Sequence, residues 1–313
     1  MDSDAKTVGE REKLFAASSS VVAAIGLTGM KLIVGLSTGS LGILSEAAHS
    51  GLDLAAALMT LFAVRISNKP ADDRHRYGHG KIENLSALFE ALLLLLTCAW
   101  IISEAVERVF FKPVKVEATV WSFAVMSISI VVDLSRSRVL ARAARKYNSQ
   151  ALEADALHFS TDVWSSLVVI LGLVGVTLSG VNPRLSWLAQ ADAVAALGVA
   201  IIVIVLSLRL GRRTVEALLD TAPGGLVESI KNSVEAVPGI ADCHSVRIRP
   251  SGPFVFVDVH VTMDGQQSLL DAHLLTEGVE SAIRRIIPEA DVTVHPEPHT
   301  ADLPTSPGSV HVR

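Results

Sequence analysis

Glu46-Ala47-Ala48-His49-Ser50-Gly51-Leu52-Asp53 and Asp155-Ala156-Leu157-His158-Phe159-Ser160-Thr161-Asp162 are two copies of one short pattern. Each reads acid, Ala, apolar, His, three residues, Asp, and each lies in an apolar stretch long enough to cross a bilayer. A His and an Asp four residues apart share one face of a helix. Two such pairs facing each other would offer two imidazole nitrogens and two carboxylates, a tetrahedral donor set for a divalent ion such as zinc. An Asp at mid-bilayer costs roughly 2.5–3.5 kcal/mol on insertion scales, so a chain keeps such residues for a task. The task read from His49, Asp53, His158 and Asp162 is the movement of a metal ion across a membrane.

The rest of the composition agrees with a membrane protein that carries a smaller soluble part. Of 313 residues 50% are hydrophobic, and the mean hydropathy is +0.45. A formal net charge of −5 gives no reason to expect a nucleic-acid partner. Two cysteines, Cys98 and Cys243, are too few for a disulfide framework. The first dozen residues are polar and partly acidic, unlike a secretory signal, so the first span is expected to stay as an anchor.

Six spanning helices are expected, at about 14–37, 41–65, 83–108, 117–140, 150–180 and 188–212. Residues 1–13 would form an N-terminal tail and 14–212 the membrane domain. Several spans hold polar residues, Lys31 in the first among them, which implies a bundle with a wet or metal-filled interior. Basic residues fix the orientation. Lys69, Arg74, Arg76 and Lys81 follow span two, and Arg136, Arg138, Arg142, Arg145 and Lys146 lie between spans four and five. Arg209, Arg212 and Arg213 end span six, whereas the turn between spans one and two has no base and that between five and six only Arg184. Both termini should face the cytoplasm, with the chain multi-pass in the plasma (inner) membrane. The link between spans three and four dissents with Arg108, Lys112 and Lys115, partly balanced by Glu107 and Glu117. Span two then runs inward and span five outward, so the repeated pattern sits on antiparallel helices, the trace of an inverted repeat.

From about residue 221 the character changes. Residues 224–236 read as a helix, and His244 to Arg249 and Phe254 to Val261 as strands joined by a Ser251-Gly252-Pro253 turn. Residues 268–287 suit an amphipathic helix, and Asp291 to His295 a last strand. The order αββαβ over residues 213–298 implies a small α+β domain, ferredoxin- or metallochaperone-like, followed by a disordered tail at 299–313.

These residues resemble the cation diffusion facilitators, membrane exporters of zinc and similar divalent metals. The resemblance runs from about residue 12 to 298. Gly39-Ser40-Leu41 leading into His49 and Asp53 is similar to the family's second helix, and His158 with Asp162 to its fifth. Pro70-Ala71-Asp72-Asp73-Arg74-His75-Arg76-Tyr77-Gly78-His79-Gly80-Lys81-Ile82-Glu83 is similar to its loop between helices two and three. The resemblance implies a homodimer of six-helix protomers in a lipid bilayer, a cytoplasmic metallochaperone-like domain, and exchange of metal for protons. Members with His and Asp on both helices usually prefer zinc and sometimes accept cadmium or cobalt; residue types alone do not separate zinc from cadmium, cobalt, iron or manganese.

The resemblance also implies a second metal near Asp72, His75 and His79, whose i, i+3, i+7 spacing would share a helix face, although Gly78 and Gly80 oppose a continuous helix. It pairs Lys81 with an acid after span six, best matched by Asp220. In the soluble part it marks His244, His260, His273, His295 and Glu297 as a metal site between subunits; relatives with two metals there commonly carry Asp where Glu297 stands. Glu46 and Asp155, three residues before each His, are either partners of the imidazoles or face a water-filled vestibule. Lys31 would snorkel or pair with a carboxylate. Cys243 and His244 are strand neighbours with side chains on opposite faces, so they share no site. Two rival readings are a membrane zinc sensor that moves nothing and an intramembrane zinc hydrolase. The second lacks a His-Glu-x-x-His run and an open coordination position.

Overall fold

The computed structural model describes residues 3–110, 120–181 and 188–299. Two compact units divide it at Glu216 and Ala217. The first holds six long helices: α1 (Ser3–Thr38), α2 (Leu41–Ser67), α3 (Lys81–Phe110), α4 (Val120–Tyr147), α5 (Gln150–Val181) and α6 (Leu188–Leu218). The connections around Lys112, Lys115 and Arg184, and the tail beyond His299, lie outside the described residues.

Local chemistry sets the sharp joints. Gly39 ends α1 at φ +66°, a left-handed conformation that only a residue without Cβ adopts cheaply. The hydroxyl of Ser40 then accepts the Ile43 N–H and caps α2. Asn148, at φ 49°, turns the chain between α4 and α5, and Ser149 caps α5 through the Leu152 N–H. These tight turns lay α1 along α2 and α4 along α5. Small residues permit the close approach: Ala16, Ala17, Ala57, Ala144, Ala151 and Ala156 are all buried in one cluster.

The outer face is apolar, with Phe15, Val22, Ile33, Phe62, Leu96, Trp100 and Val131 exposed. Such a rind suits hydrocarbon rather than water. Among the described residues, Val8–Thr38, Ile43–Ser67 and Lys81–Trp100 are long and apolar enough to span a membrane. α4, α5 and α6 match the expected spans four to six in place and have 28, 32 and 31 residues, but they are not among those three. α4 is the most polar, with Asp133 and five bases from Arg136 to Lys146. Arg136, counted among the orienting bases between spans four and five, is buried within α4 with its guanidinium 3.4 Å from the centroid of Phe159.

A buried carboxylate ties four helices together at one end of the bundle. Glu83 on α3 is fully buried and accepts hydrogen bonds from Ser67 of α2 at 2.8 Å, Lys13 of α1 at 3.4 Å, and Ser149 before α5. Lys13 also donates to Asn68 at 2.7 Å. Such a hub stands only because each partner offsets the desolvation of the charge.

In the second unit the order is α7 (Leu226–Glu235), β1 (Ile240–Ser251), β2 (Phe254–Met263), α8 (Leu269–Ile286) and β3 (Asp291–Pro298). β1 and β2 form an antiparallel hairpin turned by Gly252 at φ +58° and Pro253, while β3 pairs parallel to β2. With three strands, one fewer than a ferredoxin-like βαββαβ unit, β3 lies directly against β2. Alternation along β2 sends Val257, Val259 and Val261 into the core, where they meet Ile230 and Val234 of α7 and Val279 and Ile283 of α8. Asp258, His260 and Thr262 are thereby left on the opposite face.

Candidate metal centres

The repeated pattern of α2 and α5 converges. Nε2 of His158 stands 3.1 Å from Oδ1 of Asp53 and 3.5 Å from Oδ2 of Asp162. Nε2 of His49 stands 3.9 Å from Oδ1 of Asp53 and 4.0 Å from Oδ1 of Asp162. Ligand atoms of His49, Asp53 and Asp162 fall within 4.8 Å of one another. Both imidazoles present Nε2, and two carboxylates alternate with them, a mixed hard and borderline donor set suited to zinc and its neighbours. Asp53 and His158 are buried, at 8% and 6% exposure, while His49 and Asp162 are half-buried, so the cage keeps an open side.

Around the cage several charges are paired. Lys31 on α1 reaches Glu46 at 3.2 Å and the hydroxyl of Ser50 at 2.8 Å. Glu46 is thus spoken for by Lys31 rather than by an imidazole. Asp155, fully buried, accepts from the hydroxyl of Ser20 at 3.4 Å, which itself accepts from Arg136 at 3.1 and 3.3 Å. Arg136 also donates to Asp133 at 3.1 Å. Asp133, Arg136, Glu83 and Glu90 were not singled out by sequence reasoning as site residues. The signal available for Glu90 was one acid in the apolar run Leu85 to Leu96.

The loop between α2 and α3 gathers Asp72, His75 and His79 without a helix. Oδ1 of Asp72 accepts the N–H groups of Arg74 at 2.9 Å and His75 at 2.7 Å, which folds the segment into a side-chain-stapled turn. Nδ1 of His75 lies 3.1 Å from Oδ1, and Nε2 of His79 lies 3.4 Å from Oδ2. The three ligand atoms fall within 4.8 Å. The shared helix face expected from spacing is replaced by this turn, because Gly78 at φ +74° breaks any helix there. The backbone N–H of His75, then that of Arg74 and the His75 ring, hold the Asp72 carboxyl below its ordinary range.

A third cluster lies on the outward face of the sheet. His244, His260 and His295 are directly opposite one another across β1, β2 and β3. Nδ1 of His260 is 2.8 Å and Nε2 of His244 3.3 Å from the two oxygens of Glu297, and Nε2 of His295 is 3.9 Å away. Asp242 adds a contact to His244 at 2.9 Å. His244, His260 and Glu297 have ligand atoms within 4.8 Å. The hydrogen bond from His260 first, and the His244 and His295 rings beside it, hold the Glu297 carboxyl below its usual range. The chain does not bring His273 into this cluster: it sits on α8 and faces Glu277 at 3.6 Å, one helical turn away. Cys243 points into the core while His244 faces outward, and burial pushes its thiol up to about 11. Lys81 opens α3 in the first unit, and Asp220 stands at φ 58° in the second.

Two family descriptions cover this architecture. Cation efflux transmembrane domain matches residues 18–219, and Cation efflux protein, cytoplasmic domain, matches residues 222–299. The chain belongs to the cation diffusion facilitators. Members of this cation efflux family are integral membrane transporters, not enzymes. The cation-efflux pump FieF of Salmonella arizonae is 33% identical over 286 residues, 90% of this chain and 92% of its own. FieF of Yersinia enterocolitica is 34% identical over 299 residues, 93% and 94% of the two chains. The solved structure MamM-CTD 215-293 matches at 24% identity over 24% of this facilitator and 95% of its own length, with a TM-score of 0.23.

Proposed function

We propose that this facilitator exports divalent cations, zinc first among them, from the cytoplasm in exchange for protons, working as a homodimer. The observation that carries the reading is that the imidazoles of His49 and His158 and the carboxylates of Asp53 and Asp162, brought from two helices, stand 3.1–4.0 Å apart as pairs. The names of the FieF relatives, cation-efflux pumps, supply the direction. The reading includes six membrane spans with both termini cytoplasmic in the plasma (inner) membrane, and a second unit that joins two copies in the cytoplasm.

The donor set suits transport. Thiolate-bound structural zinc is held by about 10–16 kcal/mol, too firmly for rapid release. Imidazoles and carboxylates grip less firmly and take up protons, so acid on the far side empties the site. The ion would shed water onto the four ligands, and α2 and α5 would then expose it to the opposite face. The loop cluster and the sheet cluster are proposed as further zinc sites, the first at the entrance and the second regulating the cytoplasmic unit. Lys81 and Asp220 are proposed as a charge pair joining the two units.

The deciding experiment is zinc flux into proteoliposomes across a pH gradient. Asp162→Ala is expected to abolish it, and unchanged flux would refute the assigned site. A sensor that moves no metal would show zinc binding with no flux in the wild-type chain.

A further inference from the structure

Glu90 on α3 is fully buried, and its one hydrogen bond is accepted from the hydroxyl of Thr60 on α2. Its second oxygen, Oε2, is buried with no partner. The charged groups that reach it are Asp155 and His158, both presented by α5. α6 contributes the apolar Leu210 against the neighbouring Ala87 and Ala91. No cation therefore lies within ion-pair distance of Glu90 among the described residues, and the closest charge of like sign is another carboxylate.

Asp155 is placed differently. Its Oδ2 is linked through Ser20 to the guanidinium of Arg136, so a positive charge stands one hydroxyl away. Two neighbouring carboxyl groups in a low-dielectric interior do not both ionise, and the one without a cation keeps the proton. Asp155 precedes His158 by one helical turn, so the pair lies beside the metal cage without belonging to it. The next charge to arrive there is the cation itself.

We infer that Glu90 is a proton-carrying carboxyl: it holds a proton while the membrane site is free of metal and releases it when the cation is taken in. This rests on the proton-antiport reading above and names a carrier within it. In the step the O–H bond of the Glu90 carboxyl breaks, its electron pair stays on the carboxylate, and the proton passes to water on the loading side. When the cation leaves, a proton from water on the release side restores the acid. Nothing is oxidised or reduced. The carrier is separate from the four ligands, so its proton adds to any that leave the imidazoles.

The test is a zinc titration of the purified full chain in weak buffer with a pH indicator, counting protons released per ion. Glu90→Gln is expected to release about one fewer than wild type, and protons from all other sites cancel in the difference. The slope of log affinity against pH should fall by about one, so affinity changes about tenfold less per pH unit. An equal count in the two chains overturns the inference. Infrared difference spectra of the wild-type chain need no variant: adding zinc should remove a protonated-carboxyl C=O band, and no such loss also overturns it. Zinc flux without proton flux in the wild type would instead sink the antiport reading. Proton-coupled flux with an unaltered count in Glu90→Gln sinks the Glu90 assignment alone.

Discussion

Nε2 of His158 on α5 lies 3.1 Å from Oδ1 of Asp53 on α2, and this pair joins the two halves of the repeated pattern. Asp53→Asn keeps the shape and an accepting oxygen but removes the charge. Zinc affinity of the membrane site is expected to fall at least about tenfold, with the melting transition little changed. Calorimetric titration of the full chain in detergent, with Glu297→Gln in both proteins to silence the sheet cluster, reads this. Equal affinity in the two would mean that Asp53 is no ligand.

For the loop, the structure divides the work of one side chain. Oδ1 of Asp72 staples the turn and Oδ2 faces His79. Asp72→Asn should preserve the staple through its carbonyl oxygen and lose one bound zinc per chain, counted by elemental analysis after desalting. An unaltered count removes the loop from the metal inventory.

Acidity should act on the sheet through Glu297. Its carboxyl is held below the ordinary range, so the stabilisation it gives is complete above the unfolded value and disappears as pH falls through the lowered folded one. Glu297→Gln in metal-free protein is therefore expected to lower the melting transition at neutral pH. The gap to wild type should close below about pH 4. A gap that persists in acid would show that shape, not charge, is what the variant disturbs.

Both cysteines should be silent in the native protein. Cys98 and Cys243 are buried at 1% and 0% exposure, and the Cys243 thiol is pushed up to about 11. A maleimide at neutral pH should label neither until the chain is unfolded in detergent, as counted by mass spectrometry. Rapid native labelling of Cys243 would contradict the packing of β1.

Much of this was legible in the chain because helical spacing is simple arithmetic. His49 with Asp53 and His158 with Asp162 announce one face each, and the switch from apolar runs to period-two alternation after residue 221 announces the sheet. What was not legible depends on three dimensions. Arg136 reads as one more orienting base until α4 is seen to bury it and lay the guanidinium on Phe159. Glu90 has no partner at any recognisable spacing, since Thr60 and Asp155 reach it from other helices. Asp72, His75 and His79 meet through a turn that their spacing does not announce, because an Asp that accepts nearby N–H groups competes with helix formation. The family resemblance groups His273 with the sheet histidines; on α8 it faces Glu277, one helical turn away.

The row of histidines across the three strands bears on when the proposed sheet site is complete. His244 and His260 arrive with the hairpin, but His295 and the carboxylate of Glu297 come on β3, the last strand to leave the ribosome. A half-made chain therefore has two imidazoles and Asp242, but neither His295 nor Glu297. The full donor set of the proposed sheet site therefore exists only once β3 has been made and paired with β2.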